Sequence, residues 1–489
     1  MSIQIFLQGK LLGIREFLCS PASGRHEAVS ERLFAGRAWW TSLLSEILPR
    51  ALLAELGLSD ILLGSSGGGQ FLVVLPRESE ANAGEFLSAA ARDIERMSAG
   101  RLKLVWAVTE NLGDWAVVRR RIREAMAARR GAPAANGGDA LFAPHSQAAF
   151  DDFDDYFADT IGAGLIEQRV VGWSPDSPGR VLTGDGKYTW TIGSEHGQIL
   201  LPRHVALSDD GAHPVDAAAL AARATGAAVW GVLRGDVDNL DIRFRRVQSI
   251  EEHVQLSVLY KQFFAGELEV LCSMPEFWRK VTILYSGGDD FAAYGAWDAL
   301  LQLARELQRL FRRFSEESLK DFPGGEGKTI SMALALAPSP EATLVSVFEE
   351  AGRMLEDAKC SSRDSFALLG RVLEWRQING ASDLKDTMVR VVQEFGGSTR
   401  FLGELAAFYR EEVFSPLSAS RKKEGEMEKP WRLHRRVLRV LPSTRDRELE
   451  RLRGSLIVDL VGKNASQVKL RPAGRVALEW ARLLTEAPQ

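Results

Sequence analysis

The sequence has 489 residues, 45% of them hydrophobic and 26% charged, with a net charge of −4. This is ordinary globular composition, long enough for about three or four domains, and it excludes a polycation that binds nucleic acid through bulk charge; any such contact must come from local patches. The three scattered cysteines exclude a disulfide framework and a cysteine zinc site, and no signal peptide or membrane-length apolar run is present, so a cytoplasmic protein without a membrane partner is expected.

In chain order, residues 3–7 read as a short buried strand and residues 30–56 as a long helix that Pro49 should kink or split. Residues 61–63 and 71–75 flank a glycine turn as a β-hairpin, 80–97 is helical, 102–108 a strand and 115–129 a basic helix. Residues 131–138, rich in Gly, Ala and Pro, read as a linker. An exposed acidic run, Asp151-Asp152-Phe153-Asp154-Asp155, precedes a stretch at 169–201 with hairpin character around Gly184-Asp185-Gly186. From residue 228 the pattern sharpens: strands at 228–233, 281–285, 291–294 and 329–336 alternate with helices at 250–268, 298–314 and 342–359. Beyond 375 the chain reads as helical, with a charged stretch at 421–429.

The two readable halves share one order: strand, long helix, strand, glycine turn, strand, helix, strand, helix. Ser66-Gly67-Gly68-Gly69-Gln70-Phe71 aligns with Ser286-Gly287-Gly288-Asp289-Asp290-Phe291, and Gly9-Lys10-Leu11-Leu12 with Gly235-Asp236-Val237-Asp238. Gly9 to Ser66 spans 57 residues and Gly235 to Ser286 spans 51, so the copies differ by a small insertion. The order fits a ferredoxin-like palm. The expected fold is α+β: a degenerate first palm at 1–135, a small middle domain without a zinc site at 136–226, a second palm at 227–375 and a helical bundle at 376–489.

Asp236 and Asp238 lie two apart on a strand, so both carboxylates can share one face. Asp289 and Asp290 occupy a tight turn after a buried strand, and in a palm these two strands are central neighbours. Carboxylates gathered so closely repel, and a divalent cation relieves the repulsion. Magnesium takes one or two carboxylates plus substrate phosphates, and two such ions about 3.5–4 Å apart suit an in-line displacement at phosphorus. Gly287 and Gly288 leave room for phosphate or sugar. Lys359, ending its helix, is placed for a triphosphate or simply for the helix dipole, and Ser331 lies on the strand after the turn. The first half has Lys10, Leu12, Gly69 and Gln70 where the second has its four aspartates.

The runs Leu233-Arg234-Gly235-Asp236-Val237-Asp238-Asn239-Leu240, Tyr285 to Phe291 and Gly295-Ala296-Trp297-Asp298 resemble the large subunit of type III CRISPR effector complexes, most closely the III-A (Csm-type) variety. Leu7 to Phe17 resembles the first palm of that family. The likeness covers residues 1–360; the helical C-terminus fits by position alone. It implies two nucleotidyl-cyclase/polymerase-like palms that convert ATP to cyclic oligoadenylates when the complex binds target RNA. It further implies metal ligation (Mg²⁺ or Mn²⁺, two ions) by Asp236, Asp289 and Asp290 with Asp238 a weaker candidate, and ATP contacts from Ser286, Gly287, Gly288, Lys359 and Ser331, joined by Ser66, Gly67 and Gly68. Implied partners are guide CRISPR RNA, target RNA, and the small, backbone and 5′-end-binding subunits. The family's HD nuclease is not expected, since no His-Asp dipeptide occurs in the sequence; nor is its zinc site, since 150–225 lacks cysteine and His196, His204 and His213 read as surface residues.

Arg119, Arg120 and Arg123 on one helix, and Arg421, Lys422, Lys423, Arg435 and Arg436 near the C-terminus, are candidates for RNA or partner contact. Two other readings share these motifs: a stand-alone cyclase resembling the diguanylate cyclases, and a catalytically silent RNA scaffold.

Overall fold

A computed structural model describes residues 4–22, 30–131, 153–193, 197–211, 213–395, 399–413, 435, 437–441, 443–461 and 472–486. The first sheet takes β1 (Gln4–Leu12), β2 (Leu63–Gly67), β3 (Gln70–Pro76) and β4 (Lys103–Glu110) in the spatial order β2-β3-β1-β4. A small sheet follows, with β5 (Val170–Trp173) between β6 (Leu182–Thr183) and β7 (Tyr188–Thr191). The third sheet takes β8 (Trp230–Val237), β9 (Val281–Ser286), β10 (Asp290–Ala296) and β11 (Ile330–Leu336) in the order β9-β10-β8-β11, which is that of the first sheet. β12 (Ser365–Leu368) and β13 (Arg371–Glu374) extend it past β11. With crossover helices between the first and second and the third and fourth strands, each large unit is a ferredoxin-like βαββαβ palm.

The hydrogen-bond register makes the repeat exact in its frame. Gly9 faces Phe71 across β1 and β3, and Gly235 faces Phe291 across β8 and β10. Ser66 and Ser286 pair with the same two phenylalanines from the other side. Each ring fills the space its glycine leaves: a Cβ on Gly9 would lie 2.2 Å from a Phe71 ring carbon, and one on Gly235 2.2 Å from Phe291. Both rings are buried, so the glycines are required by packing.

The helices follow from their apolar spacing. Glu80–Met97 buries Ala83, Leu87, Ala90, Ile94 and Met97, one stripe at helical period. Ser30–Glu55 is buried on nearly every face and runs unbroken through Pro49. Arg50 Nη1 donates to the Glu46 carbonyl at 2.7 Å in the turn that proline disturbs. The helical stretch 250–268 resolves into Ile250–Lys261, a π-turn Gln262–Glu267 and Leu268–Cys272. The turn around Gly184-Asp185-Gly186 does not close a hairpin, because β6 and β7 pair with β5 rather than with each other. The C-terminal helices Trp375–Glu394, Arg400–Val413, Arg447–Val461 and Pro472–Thr485 are tied to the second palm by Trp375 Nε1 donating to the Ile330 carbonyl at 2.9 Å. Among the described residues, no helix is long and apolar enough to cross a membrane. His204 is half-buried rather than on the surface, with Nε2 at 3.1 Å from the Trp278 carbonyl; His213 is exposed, and His196 lies outside the described residues.

Candidate active site

Asp236, near the end of β8, is the register partner of Asp290, the first residue of β10. The turn that brings them together is held by its main chain: Gly287 N donates to the Asp290 carbonyl at 2.7 Å, and Val237 N to that of Asp289 at 3.0 Å. A side chain at Gly287 would place its Cβ 2.5 Å from Asp290 Oδ1 and so displace that carboxylate. Ser286 Oγ donates to the Phe264 carbonyl in the π-turn at 2.7 Å, which anchors the turn from below.

These carboxylates hold their protons unusually well. Burial raises Asp236 to about 6, against the pull of Lys359, whose Nζ lies 2.7 Å from Asp236 Oδ1. Burial raises Asp289 too, and the neighbouring charges of Asp290 and Asp236 add to it. Asp290 is raised by burial against the Arg234 guanidinium and shares a hydrogen bond with Tyr285. Three acidic groups faced by the Lys359 ammonium and the Arg234 guanidinium remain short of positive charge. Among the described residues, no three acidic, His or Cys side chains converge as a ready-made metal cage. Magnesium is ordinarily held by one or two carboxylates together with substrate phosphates, through hard oxygens; Asp236, Asp289 and Asp290 fit that role.

Asp238 and Ser331 have other work. Asp238 is 2% exposed and its carboxylate accepts from Thr329 Oγ1, Ser331 Oγ and Asp364 N at 2.8–2.9 Å. Its oxygens are spent on joining β8, β11 and the loop after the Leu344–Ser361 helix. Ser331 is fully buried and serves Asp238, so neither faces a nucleotide. The expectation for both is corrected: strand alternation places Asp236 and Asp238 on one face, but the chain leaves the strand at Asp238, and Asn239 has left-handed backbone.

The two glycine turns meet. They approach closely enough that a Cβ added to Gly68 would lie 3.3 Å from Gly288 N, and one added to Gly287 would lie 3.5 Å from Gly68 Cα. A cavity of about 530 Å³ opens on one side, reached by Ser66, Gly67, Gly288 and Asp289. A smaller one of about 230 Å³ opens on the other, reached by Gly68, Gly287, Asp290, Arg234 and Tyr285.

Residues 229–367 match the family model for the second palm domain of Cas10/Cmr2. The chain is 30% identical over 166 residues to the CRISPR system single-strand-specific deoxyribonuclease Cas10/Csm1 (subtype III-A) of Enterococcus italicus, covering 32% of this chain and 20% of the relative. It is 29% identical over 170 residues to the protein of the same description from Mycobacterium tuberculosis, covering 30% and 20%. The chain thus aligns with a fifth of the length of these relatives. Its fold is that of the apo Csm1–Csm4 cassette, with TM-score 0.74 and 17% identity over 99% of this chain and 70% of that one. The same cassette in complex with one ATP gives TM-score 0.72 at 17% identity, over 99% and 70%. Residues 229–367 thus carry a Cas10-type second palm, set in a chain with the fold of Csm1.

The first palm adds residues that sequence reading did not single out as ligand contacts. Lys10 is the repeat counterpart of Asp236, and it faces the larger cavity together with Arg130. Burial and then Arg130 lower the Lys10 pKa, while Asp289 opposes them. Arg130 and Lys359 each lie fifteen residues after the start of equivalent helices, Trp115–Gly131 and Leu344–Ser361. The signal was present: the alignment that marked Lys10 as a lost carboxylate also marked a gained cation.

The basic helix is only partly a free surface. Both terminal nitrogens of Arg119 donate to second-palm carbonyls, those of Phe244 and Arg245. Arg119 therefore clamps the palms together, which corrects its expected role in RNA contact. Arg123 is at the cavity rim, and Arg120 is exposed, near Glu124. Arg435 is exposed; Arg421, Lys422, Lys423 and Arg436 lie outside the described residues.

Proposed function

We propose that this chain is the large subunit of a type III CRISPR effector and that, on target RNA binding, it converts ATP to cyclic oligoadenylates. The observation that carries this reading is the close approach of two Ser-Gly-Gly turns of pseudo-symmetric palms, only one of which bears the carboxylates. Such a site holds two nucleotides head to tail: the 3′-hydroxyl of one attacks the α-phosphorus of the other, a P–O bond forms, and pyrophosphate leaves. Asp236, Asp289 and Asp290 would hold Mg²⁺ or Mn²⁺, which when bound lowers the pKa of the attacking hydroxyl and offsets charge on the leaving group. Lys359, Lys10 and Arg130 supply cations for the phosphates, and Gly67, Gly68, Gly287 and Gly288 let sugar and phosphate approach the main chain. Solved relatives include Csm1–Csm4 cassettes with one ATP and with cA4, which supports ATP as substrate. Guide RNA, target RNA and the remaining effector subunits are the partners in this reading.

The test incubates the assembled complex with ATP, Mg²⁺ or Mn²⁺ and matching target RNA, and identifies products by mass. Cyclic oligoadenylate that disappears with Asp289→Ala/Asp290→Ala supports the reading. Equal use of GTP without RNA would favour a stand-alone cyclase, and absence of any product a silent scaffold.

A further inference from the structure

Glu46 lies in the middle of the first palm's long helix and is 3% exposed. A buried carboxylate requires partners, and this one has three, drawn from both palms. Arg50 Nη1, one turn along the same helix, lies 2.7 Å from Oε2. Ser66 Oγ, opening the first glycine turn, donates to Oε2 at 2.9 Å. Lys261 Nζ, from the second palm, reaches Oε1 at 2.6 Å and also donates to Ser66 Oγ at 3.2 Å.

The position of Lys261 gives this network its interest. It is the last residue of Ile250–Lys261 and leads directly into the π-turn. Three residues on, the Phe264 carbonyl accepts the hydroxyl of Ser286, which opens the second glycine turn. One carboxylate is therefore tied to Ser66 directly and to Ser286 through the element that begins at Lys261. A Cβ on Gly67 would lie 3.4 Å from Glu46 Oε1, so the network packs against the first turn as well as bonding to it. Two cations around one anion keep Glu46 ionised: burial pushes its pKa up, and Lys261 and Arg50 bring it below the ordinary value. Nothing in the transfer chemistry requires these two residues, since neither is among the carboxylates or the proposed phosphate cations.

We infer that Glu46 and Lys261 form a positioning pair that sets the two Ser-Gly-Gly turns against each other and so fixes the distance between the two nucleotides. The inference rests on the composite-site reading above. Misplacement of about 1 Å between reacting groups costs up to about a hundredfold in rate, so the pair acts on turnover through geometry.

The test uses the full chain with Cys19→Ser and Cys360→Ser as parent, and compares Glu46→Gln, Lys261→Met and their double variant. The double variant removes the Glu46 and Lys261 charges together and leaves Arg50 bonded to the Glu46 carbonyl, which limits simple misfolding. Two readouts are taken. The first is kcat and KM for ATP in the assembled complex with target RNA. The second is the rate at which Gly68→Cys/Gly288→Cys, added to each background, is joined by a short thiol-reactive cross-linker. Expected is a fall in kcat of about tenfold or more, with the double variant no worse than either single and cross-linking slowed in parallel. Reduced turnover with unchanged cross-linking would assign Lys261 to the nucleotide itself and overturn the positioning role. Unchanged turnover overturns it whatever the cross-linking shows. If the parent makes no product while the variants slow cross-linking, the proposed chemistry fails and the clamp between the turns stands.

Discussion

The two palms share a frame and differ in charge. Both keep a glycine opposite a phenylalanine, a serine opening the turn and a basic residue fifteen positions into the last helix. The second places Asp236, Asp289 and Asp290 in that frame, and the first places Lys10, Gly69 and Gln70. Packing thus preserves the shape where chemistry has been abandoned. The substitution at Lys10 is also more than a loss: an Asp–Lys pair in one palm becomes a Lys–Arg pair in the other, lining the larger cavity with Asp289. In the proposed function such a pocket would divide its labour, with metal-binding oxygens on one wall and phosphate-binding nitrogens on the other.

The largest break in the comparison comes at the turns. Asp289→Ala/Asp290→Ala should lower nucleotide joining by on the order of a thousandfold, while Gln70→Ala, at the equivalent place in the first palm, should change it by less than about threefold. Product formation under identical RNA and metal conditions measures both. A comparable loss from Gln70→Ala would mean that the first palm takes part in the chemistry.

The shared frame is tested by Gly9→Ala and Gly235→Ala. Each added Cβ falls 2.2 Å from a ring carbon of a buried phenylalanine. Each should destabilise by about 1–3 kcal/mol, the usual range for overpacking, and by similar amounts, read as denaturation midpoints. A large asymmetry would show that one palm has relaxed its packing along with its chemistry.

Much of this was legible in the sequence, because two kinds of signal were strong. Apolar period placed the helices and central strands, and the repeated Ser-Gly-Gly-x-x-Phe aligned the palms residue by residue. What escaped depended on three-dimensional partners. Asp238 looks like a ligand by its spacing, but Thr329, Ser331 and Asp364 occupy its oxygens. Arg119 looks like a solvated cation, but it spends its donors on carbonyls 125 and 126 residues away. β12 and β13 are four residues each, too short for a periodic signal. Glu46 and Lys261 are 215 residues apart, and no local pattern announces their pairing.

A smaller effect sharpens the division of labour. Lys10→Ala should raise KM for ATP by about tenfold, or ~1.4 kcal/mol, and leave kcat nearly unchanged, because the residue supplies phosphate binding rather than chemistry. A fall in kcat with constant KM would place Lys10 among the groups that act in the transition state.

The smallest expected effect concerns the seam between the palms. His253, from the second palm, packs edge-on against Trp115 of the first at 5.4 Å and against Phe244 of its own at 5.0 Å. Burial, reinforced by Arg119, lowers its pKa to about 4. An unfolded histidine titrates near 6.5, so between about pH 6.5 and 4 the unfolded chain binds a proton that the folded chain refuses. Stability contributed by neutral His253 is therefore complete above that window and is lost as pH falls through it. Allowing for partial solvent screening, the loss between pH 7 and pH 5 should be about 1 kcal/mol. His253→Phe keeps an aromatic ring in the seam and removes the titration, so the denaturation midpoint of the variant should depend less on pH over that interval than that of the unaltered chain. An identical pH dependence in both would place the acid sensitivity elsewhere and leave the seam between the palms indifferent to protonation.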